Sequence, residues 1–500
     1  MTATEILRKT RDSLLDYLPD EASEAITDVD LCNWVVDQCF EGQVVFSPGL
    51  GWQRWVGTHW DDAAPQEIRA LVSDFLKGRE ASVRIDLTHQ GIAKALRQRM
   101  SAGRLGSLMG QLEATAFVKQ EFFTPPSHLL NVANGVVNLN TGELSVHEPS
   151  HGFKQVTLGG YYPGRTHTDW ASALGALSPS MGTWFQSAVG QGVTGTSPLD
   201  DRANFLIGER ASNGKSTVVM ALDSALGGFA KLVSERVLVG GANDHPTERM
   251  QLFGARIAIV EELPQRLVSS KLLKDLTGRK MVARRIRQDN VQWDSTHTVF
   301  VTSNHPVETD LVDRGAIRRV RVFPFEKEYV DVPSKPYHLL KDGQLRERLI
   351  EGPTGQHDAV VTWAVEGAIS WYQNSCQMPP EPEEAKQARR AWEEDSDLIG
   401  NFFEEYLEQS PDSLVSITEL LAAMNHYLAS RGHTNWRESQ LKAAFKSHPV
   451  LSELKLIQER TRLVEKRSIP NFPGFEPQSS GQMTCWRGLK FRNEVGPSQF

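Results

Sequence analysis

The segment Gly208-Glu-Arg-Ala-Ser-Asn-Gly-Lys-Ser-Thr217 follows a short apolar run, Asn204-Phe-Leu-Ile207. It precedes Thr217-Val-Val-Met-Ala-Leu-Asp-Ser-Ala-Leu226, which reads as a helix halted by Gly227-Gly228. Strand, glycine-bearing loop, Lys-Ser and helix form the context of a phosphate-binding loop. Backbone N–H groups and the positive end of a helix dipole converge there on an anion. Few other local patterns constrain a chain so strongly, because the loop works only at the tip of a strand in an α/β sheet. The spacing departs from the usual form. Five residues separate Gly208 from Gly214 where four are common, and Ala211 stands near the apex. An ordinary turn remains the competing reading of the loop alone.

Downstream residues weigh on that choice. Arg256-Ile-Ala-Ile-Val260 reads as a buried strand running into Glu261-Glu262. Carboxylates at a strand end beside a phosphate loop can orient Mg2+ through water and polarise an attacking water. Thr298-Val-Phe-Val-Thr-Ser303 is a second buried strand, ending in Asn304, whose amide can hold that water or a terminal phosphate. Val320 to Phe325 alternates with period two after Arg318-Arg319. An arginine there can stabilise transition-state charge on a nucleotide held by a neighbouring subunit. Each element has a bland alternative: a surface acidic pair, an Asn-His-Pro turn, a solvated arginine pair. All of them fall in a fixed order between Gly208 and Arg319.

Five hundred residues call for two to four domains. No apolar run is long enough to span a membrane, and the amphipathic start is unlike a secretory signal. The four cysteines form no Cys-x-x-Cys pair, so a reducing, cytoplasmic setting is expected. The net charge of −8 argues against a broad nucleic-acid-binding surface, so any such contact must be local. Residues 279–287 (RKMVARRIR) hold five basic and no acidic residues, whereas 381–408 hold ten acidic and three basic ones. The acidic stretch reads as a solvated helix face or linker.

The expected organisation is three units. Residues 1–172 form an α+β domain, with Trp52, Trp55 and Trp60 as core packing and a hairpin turning at Asn140-Thr-Gly142. Residues 173–378 form an α/β ATPase-like core. Residues 395–500 form a winged-helix-like unit of three helices and a terminal hairpin. In that last unit Arg437, Gln440, Lys442 and Lys446 lie on faces suited to a DNA groove, and protein docking is the equal alternative.

The whole order resembles a superfamily 3 helicase, and within it the phage and plasmid primase–helicase family that includes poxvirus nucleoside triphosphatase-primases. Ser212-Asn-Gly-Lys-Ser-Thr217, Glu262-Leu-Pro264, Lys274-Asp-Leu-Thr-Gly278, Ala283-Arg-Arg285, Thr302-Ser-Asn304 and Arg318-Arg319 carry the likeness. So does Leu130 to Leu144 ahead of the core. The resemblance implies an AAA+-like fold, ATP and Mg2+, and a homo-oligomeric ring, expected to be a hexamer, with ATP between subunits. Gly208, Ser212, Asn213, Gly214, Lys215, Ser216 and Thr217 would bind nucleotide. Lys215, Glu262, Asn304 and Arg319 would be catalytic, and Ser216, Glu261 and Glu262 would serve the metal, Glu262 being the surer acid. Lys280, Arg284, Arg285 and Arg287 would grip single-stranded or forked DNA. Here Arg279-Lys280 stands where the family often has Gly-Asp. The Asp28-Val-Asp30 pair lies in a helical context with little chain around it, so primase activity is not expected and a separate primase is a candidate partner. An origin-binding initiator that uses ATP only to assemble is the competing reading. A small-molecule phosphotransferase would leave the basic hairpin and the arginine strand without a role.

Overall fold

The computed structural model describes residues 27–84, 90–198, 200–239, 248–263, 268–283, 291–305, 318–395, 397–431, 435–448, 454, 456–461, 467–477 and 482–492. The first unit comprises α1 (Asp28–Val35), the meander β1 (Val44–Ser47), β2 (Gly51–Trp55) and β3 (Trp60–Asp62), then α2 (Pro65–Arg84), α3 (Gln90–Arg99) and α4 (Ala102–Thr115). Ile68, Val72 and Leu76 fall four residues apart on α2 and meet Leu105, Leu108 and Leu112 of α4 in one core. Trp52 and Trp60 are buried, as core packing requires. Asp30 closes a capping box with Thr27, and Asp28 pairs with Arg99, so both aspartates serve helix α1.

A second meander, β4 (Leu129–Val132), β5 (Gly135–Asn138) and β6 (Leu144–Ser145), turns at the expected Asn140–Gly142. Its Leu130, Val132, Val136 and Val137 share a core with the helices of the next unit. The apolar core therefore passes from the first cluster to the second between residues 116 and 130. Apolar β-strand residues do not announce which domain they will pack on; the covering helices decide.

Five strands form the central sheet: β7 (Ala203–Ile207), β8 (Ala230–Leu232), β9 (Ile257–Val260), β12 (Thr298–Ser303) and β13 (Val320–Pro324). The hairpin β10 (Lys280–Ala283) and β11 (Val291–Asp294) intervenes in sequence. The spatial order is β13-β7-β12-β9-β8, and every pairing is parallel. A parallel sheet needs cover on both faces. Phe300 and Ile259 face α6 (Pro179–Val193), α7 (Lys215–Leu226) and α10 (Gln356–Gln373). Val299, Val301 and Val260 face α8 (Ser270–Leu276) and the β10–β11 hairpin. Helix α5 (Thr168–Leu174), the strap strands β14 (Glu328–Val330) and β15 (His338–Leu340), and α9 (Leu345–Glu351) complete the unit.

The acidic stretch after Pro382 is not a free linker. It forms α11 (Glu383–Asp395), whose Ala388 and Trp392 pack on the core beside β13 while its charged face is solvated. The last unit runs α12 (Leu398–Tyr406), β16 (Leu407–Ser416), α13 (Ile417–Ser430), α14 (Glu438–Ser447), β17 (Ile457–Thr461) and β18 (Met483–Phe491). Its three expected helices and two expected strands are present, and β16 adds a third strand against β18. No described helix is long and apolar enough to cross a membrane.

His297, just before β12, is buried, with Nε2 2.9 Å from the Leu276 carbonyl and Nδ1 3.2 Å from the Ser295 hydroxyl. Burial pushes its pKa down to about 4 from 6.5. The unfolded chain thus binds a proton at this site between those pH values while the folded chain does not. Stability is expected to fall as pH drops from 6.5 toward 4, by up to about 1.4 kcal/mol per pH unit from this group. Denaturant titrations across that window should show a smaller slope for His297→Asn than for the natural chain; equal slopes would contradict the assignment.

Candidate active site

The phosphate loop leaves β7 at Ile207 and enters α7 at Lys215. Gly208 passes so close to Phe325 that an added Cβ would sit 2.5 Å from its carbonyl oxygen. Gly214, at φ 89°, turns the chain into the helix. Ser212 also takes a left-handed backbone, φ 54°. Asn213 is buried and donates through Nδ2 to the carbonyls of Gly208 (3.0 Å) and Arg210 (2.7 Å), closing the loop on itself. In the first turn of α7 the N–H groups of Lys215, Ser216 and Thr217 have no intrahelical acceptor.

Lys215 is only 4% exposed, and its ammonium donates to the Gly208 carbonyl at 2.8 Å and to Asn304 Oδ1 at 3.1 Å. Burial lowers its pKa from 10.5 to about 8. Other cations with buried side chains are Arg256, Arg321 and Arg467, the last paired with Glu419. Arg321 has a bidentate carboxylate, Asp200, at 2.9 and 2.7 Å. Arg256 donates to the carbonyls of Val193 and Leu129 and lies over the Phe229 ring. Lys215 is the buried cation that stands at a helix N-terminus with unpaired N–H groups beside it. That donor set suits a phosphate chain.

Glu261 and Glu262 follow β9 on the same edge of the sheet. Glu262 adopts φ 54° and donates its N–H to Thr302 Oγ1 at 2.9 Å, and Leu263 N–H reaches the Thr302 carbonyl. A left-handed non-glycine residue stores strain, and such residues concentrate at functional sites. The Glu262 side chain is exposed, and Glu261 lies 3.7 Å from Arg346 of α9. Arg346 carries no motif signal, and only the fold brings it to the acidic pair. Among the described residues no group of three or more His, Cys, Asp or Glu could hold a metal. The Ser216 hydroxyl and the carboxylates of Glu261 and Glu262, which follow strands on the same sheet edge, are donors of the kind Mg2+ takes while keeping several of its waters.

After β13 the chain straps over the loop. Tyr329 N–H donates to the Ser212 carbonyl at 2.9 Å, and its hydroxyl donates to the Ser172 carbonyl. Arg210 donates to the Glu326 carbonyl and stacks on Tyr337, 4.2 Å from the ring centre.

Arg318 and Arg319 lie elsewhere. Val320 pairs with Ala203 and Pro324 with Ile207, so the arginines precede the N-terminal end of β13. Six residues of strand separate that level from Gly208, roughly 20 Å at about 3.3 Å per residue. Arg319 donates to Thr277 Oγ1 at 2.8 Å and pairs with Asp201 at 3.2 Å, whereas Arg318 is exposed. Lys280 is exposed near Asp294, at 3.5 Å. Arg284, Arg285 and Arg287 lie outside the described residues. On α14, Gln440 accepts from the Arg437 N–H and Lys442 pairs with Glu438, so both are engaged locally; the Lys446 side chain lies outside the described set.

Residues 34–184 match the family described as D5 N terminal like. No curated protein matches the chain by sequence. Among solved structures, an apo form of the NrS-1 C terminal region aligns with a TM-score of 0.45 and 10% identity, covering 93% of this chain and 100% of that one. A second structure of that region gives a TM-score of 0.41 and 11% identity, covering 89% and 96%. The chain thus carries a D5 N terminal-like region that ends within α6, among the helices that cover the central sheet.

Proposed function

We propose that this chain is an ATP-driven DNA helicase of the superfamily 3 type, acting as a homo-oligomeric ring, most simply a hexamer, in phage- or plasmid-type replication. The observation that carries the reading is Lys215: a buried ammonium without a carboxylate, at a helix N-terminus, aimed at Asn304 with Glu262 on the same sheet edge. The D5 N terminal-like match supports a replication setting.

Lys215 and the N–H groups of Gly214 to Thr217 bind the phosphates, and Asn304 meets the terminal one as Lys215 turns toward it. Glu262 orients and polarises the attacking water. Ser216 with Glu261 and Glu262 would hold Mg2+, which when bound neutralises charge building between the phosphates. The arginine that completes the site comes from the neighbouring subunit, because the Arg318–Arg319 pair lies at the far end of its own sheet. Arg319 is committed to Thr277 and Asp201, so Arg318 is the arm that extends and Arg319 its anchor. Lys280, Arg284, Arg285 and Arg287 grip one strand's phosphates, giving binding that weakens steeply with salt.

Lys215→Ala is expected to lower ATP turnover about a hundredfold or more. In the natural chain ATP affinity should decline as pH rises through about 8, where the free lysine loses its proton. Unchanged turnover in the variant would refute the nucleotide site. Arg318→Ala should bind ATP nearly normally yet hydrolyse it about 10³-fold more slowly. Mixing it with Lys215→Ala protein should restore part of the activity, since one boundary then has both groups intact; no recovery would count against a shared site. Unwinding of a forked duplex separates a helicase from an initiator that uses ATP only to assemble.

A further inference from the structure

Thr277 sits at the root of the basic hairpin, three residues before Lys280, and it is 5% exposed. Its hydroxyl donates to the Leu273 carbonyl of α8 at 2.8 Å and accepts from Arg319 Nη1, also at 2.8 Å. Both roles of the hydroxyl are filled, and the acceptor role serves a charged donor, the stronger kind of hydrogen bond. The rest of the root is held firmly. His297 Nε2 reaches the Leu276 carbonyl, and Ser295 N–H closes on the Arg279 carbonyl below the hairpin. On the other side, the Arg319 carbonyl accepts from Ala203 N–H, and its side chain pairs with Asp201. A displacement of the arginine pair must therefore move the hairpin root or break the Arg319–Thr277 bond.

Resting on the reading of a nucleotide site shared between subunits, we propose that the Arg319–Thr277 hydrogen bond couples that site to DNA held on the hairpin, with Thr277 as the positioning residue. Arg318 engages the neighbour's nucleotide, Arg319 follows along the backbone, and Thr277 passes the shift to Lys280 and the hairpin. Linkage makes the effect reciprocal: DNA on the hairpin favours the engaged arginine, and nucleotide favours DNA by the same factor.

The test uses the full chain with two variants, Thr277→Val, which keeps shape and loses the hydroxyl, and Thr277→Ser, which keeps the hydroxyl. ATP turnover is measured with and without oligo-dT, and oligo-dT affinity with and without a non-hydrolysable ATP analogue. Turnover of Thr277→Val without DNA should stay within about twofold of the natural chain. Its stimulation by DNA, and the analogue's effect on DNA affinity, should each fall by about tenfold. Thr277→Ser should recover both. A Thr277→Val chain with undiminished stimulation and undiminished analogue effect overturns the proposal, as does a Thr277→Ser chain as defective as Thr277→Val. A natural chain that hydrolyses no ATP would instead overturn the functional reading itself, before any variant is compared.

Discussion

All five strands of the central sheet point the same way, and this constraint governs everything built on it. Parallel strands gather the loops that follow them on one edge and the segments that precede them on the other. Lys215, Glu262 and Asn304 are near one another because each follows a strand. Arg318 and Arg319 precede one, so no rotamer brings them to their own phosphate loop. The separation is a matter of strand length, about 3.3 Å per residue, and it makes the site incomplete within one chain if an arginine is needed there.

The buried cations differ in how fully the fold pairs them. Arg321 has its carboxylate in Asp200. Arg256, whose pKa burial lowers to about 10, joins the β4 carbonyl of Leu129 to the end of α6 and so binds the D5 N terminal-like region to the sheet. Removing it would leave two carbonyls and a ring without their cation in a dry interior. Lys215 has only a carbonyl and an amide oxygen. Its lowered pKa corresponds to an electrostatic cost on the order of 3 kcal/mol for keeping it charged. A phosphate placed beside the ammonium would offset that cost.

Much of this was legible in the residues, for physical reasons. The strands β7, β9 and β12 are near-continuous apolar runs because both faces of a parallel sheet are covered, and the loop residues sit at their ends. The edge strand β8 was not legible: Ala230-Lys-Leu232 is three residues long and carries a charge. Nor was β16, where Ser410-Pro-Asp-Ser413 reads as a turn and is accommodated by a register shift between Ser410 and Leu414. Helix α11 reads as a solvated acidic stretch because only a thin stripe, Ala385, Ala388 and Trp392, touches the core. At the site, the partners of Arg319 and Glu261 were hidden, since Thr277, Asp201 and Arg346 are 42, 118 and 85 residues away in sequence. No local pattern encodes such contacts.

The five-residue span between Gly208 and Gly214 is held by the strap that leaves β13. In this loop Arg210 is exposed and Ser212 is left-handed, and both meet the strap that leaves β13: Arg210 on Tyr337 and the Glu326 carbonyl, Ser212 on the Tyr329 N–H. Strand β13 is therefore anchored at both ends. Its N-terminal end carries the arginine pair and the hydrogen bond to the hairpin root. Its C-terminal end is tied to the glycine-bearing loop that enters α7. A strand with five backbone-paired residues is stiff along its axis, so β13 ties the glycine-bearing loop and the Arg318–Arg319 pair to opposite ends of one rigid element.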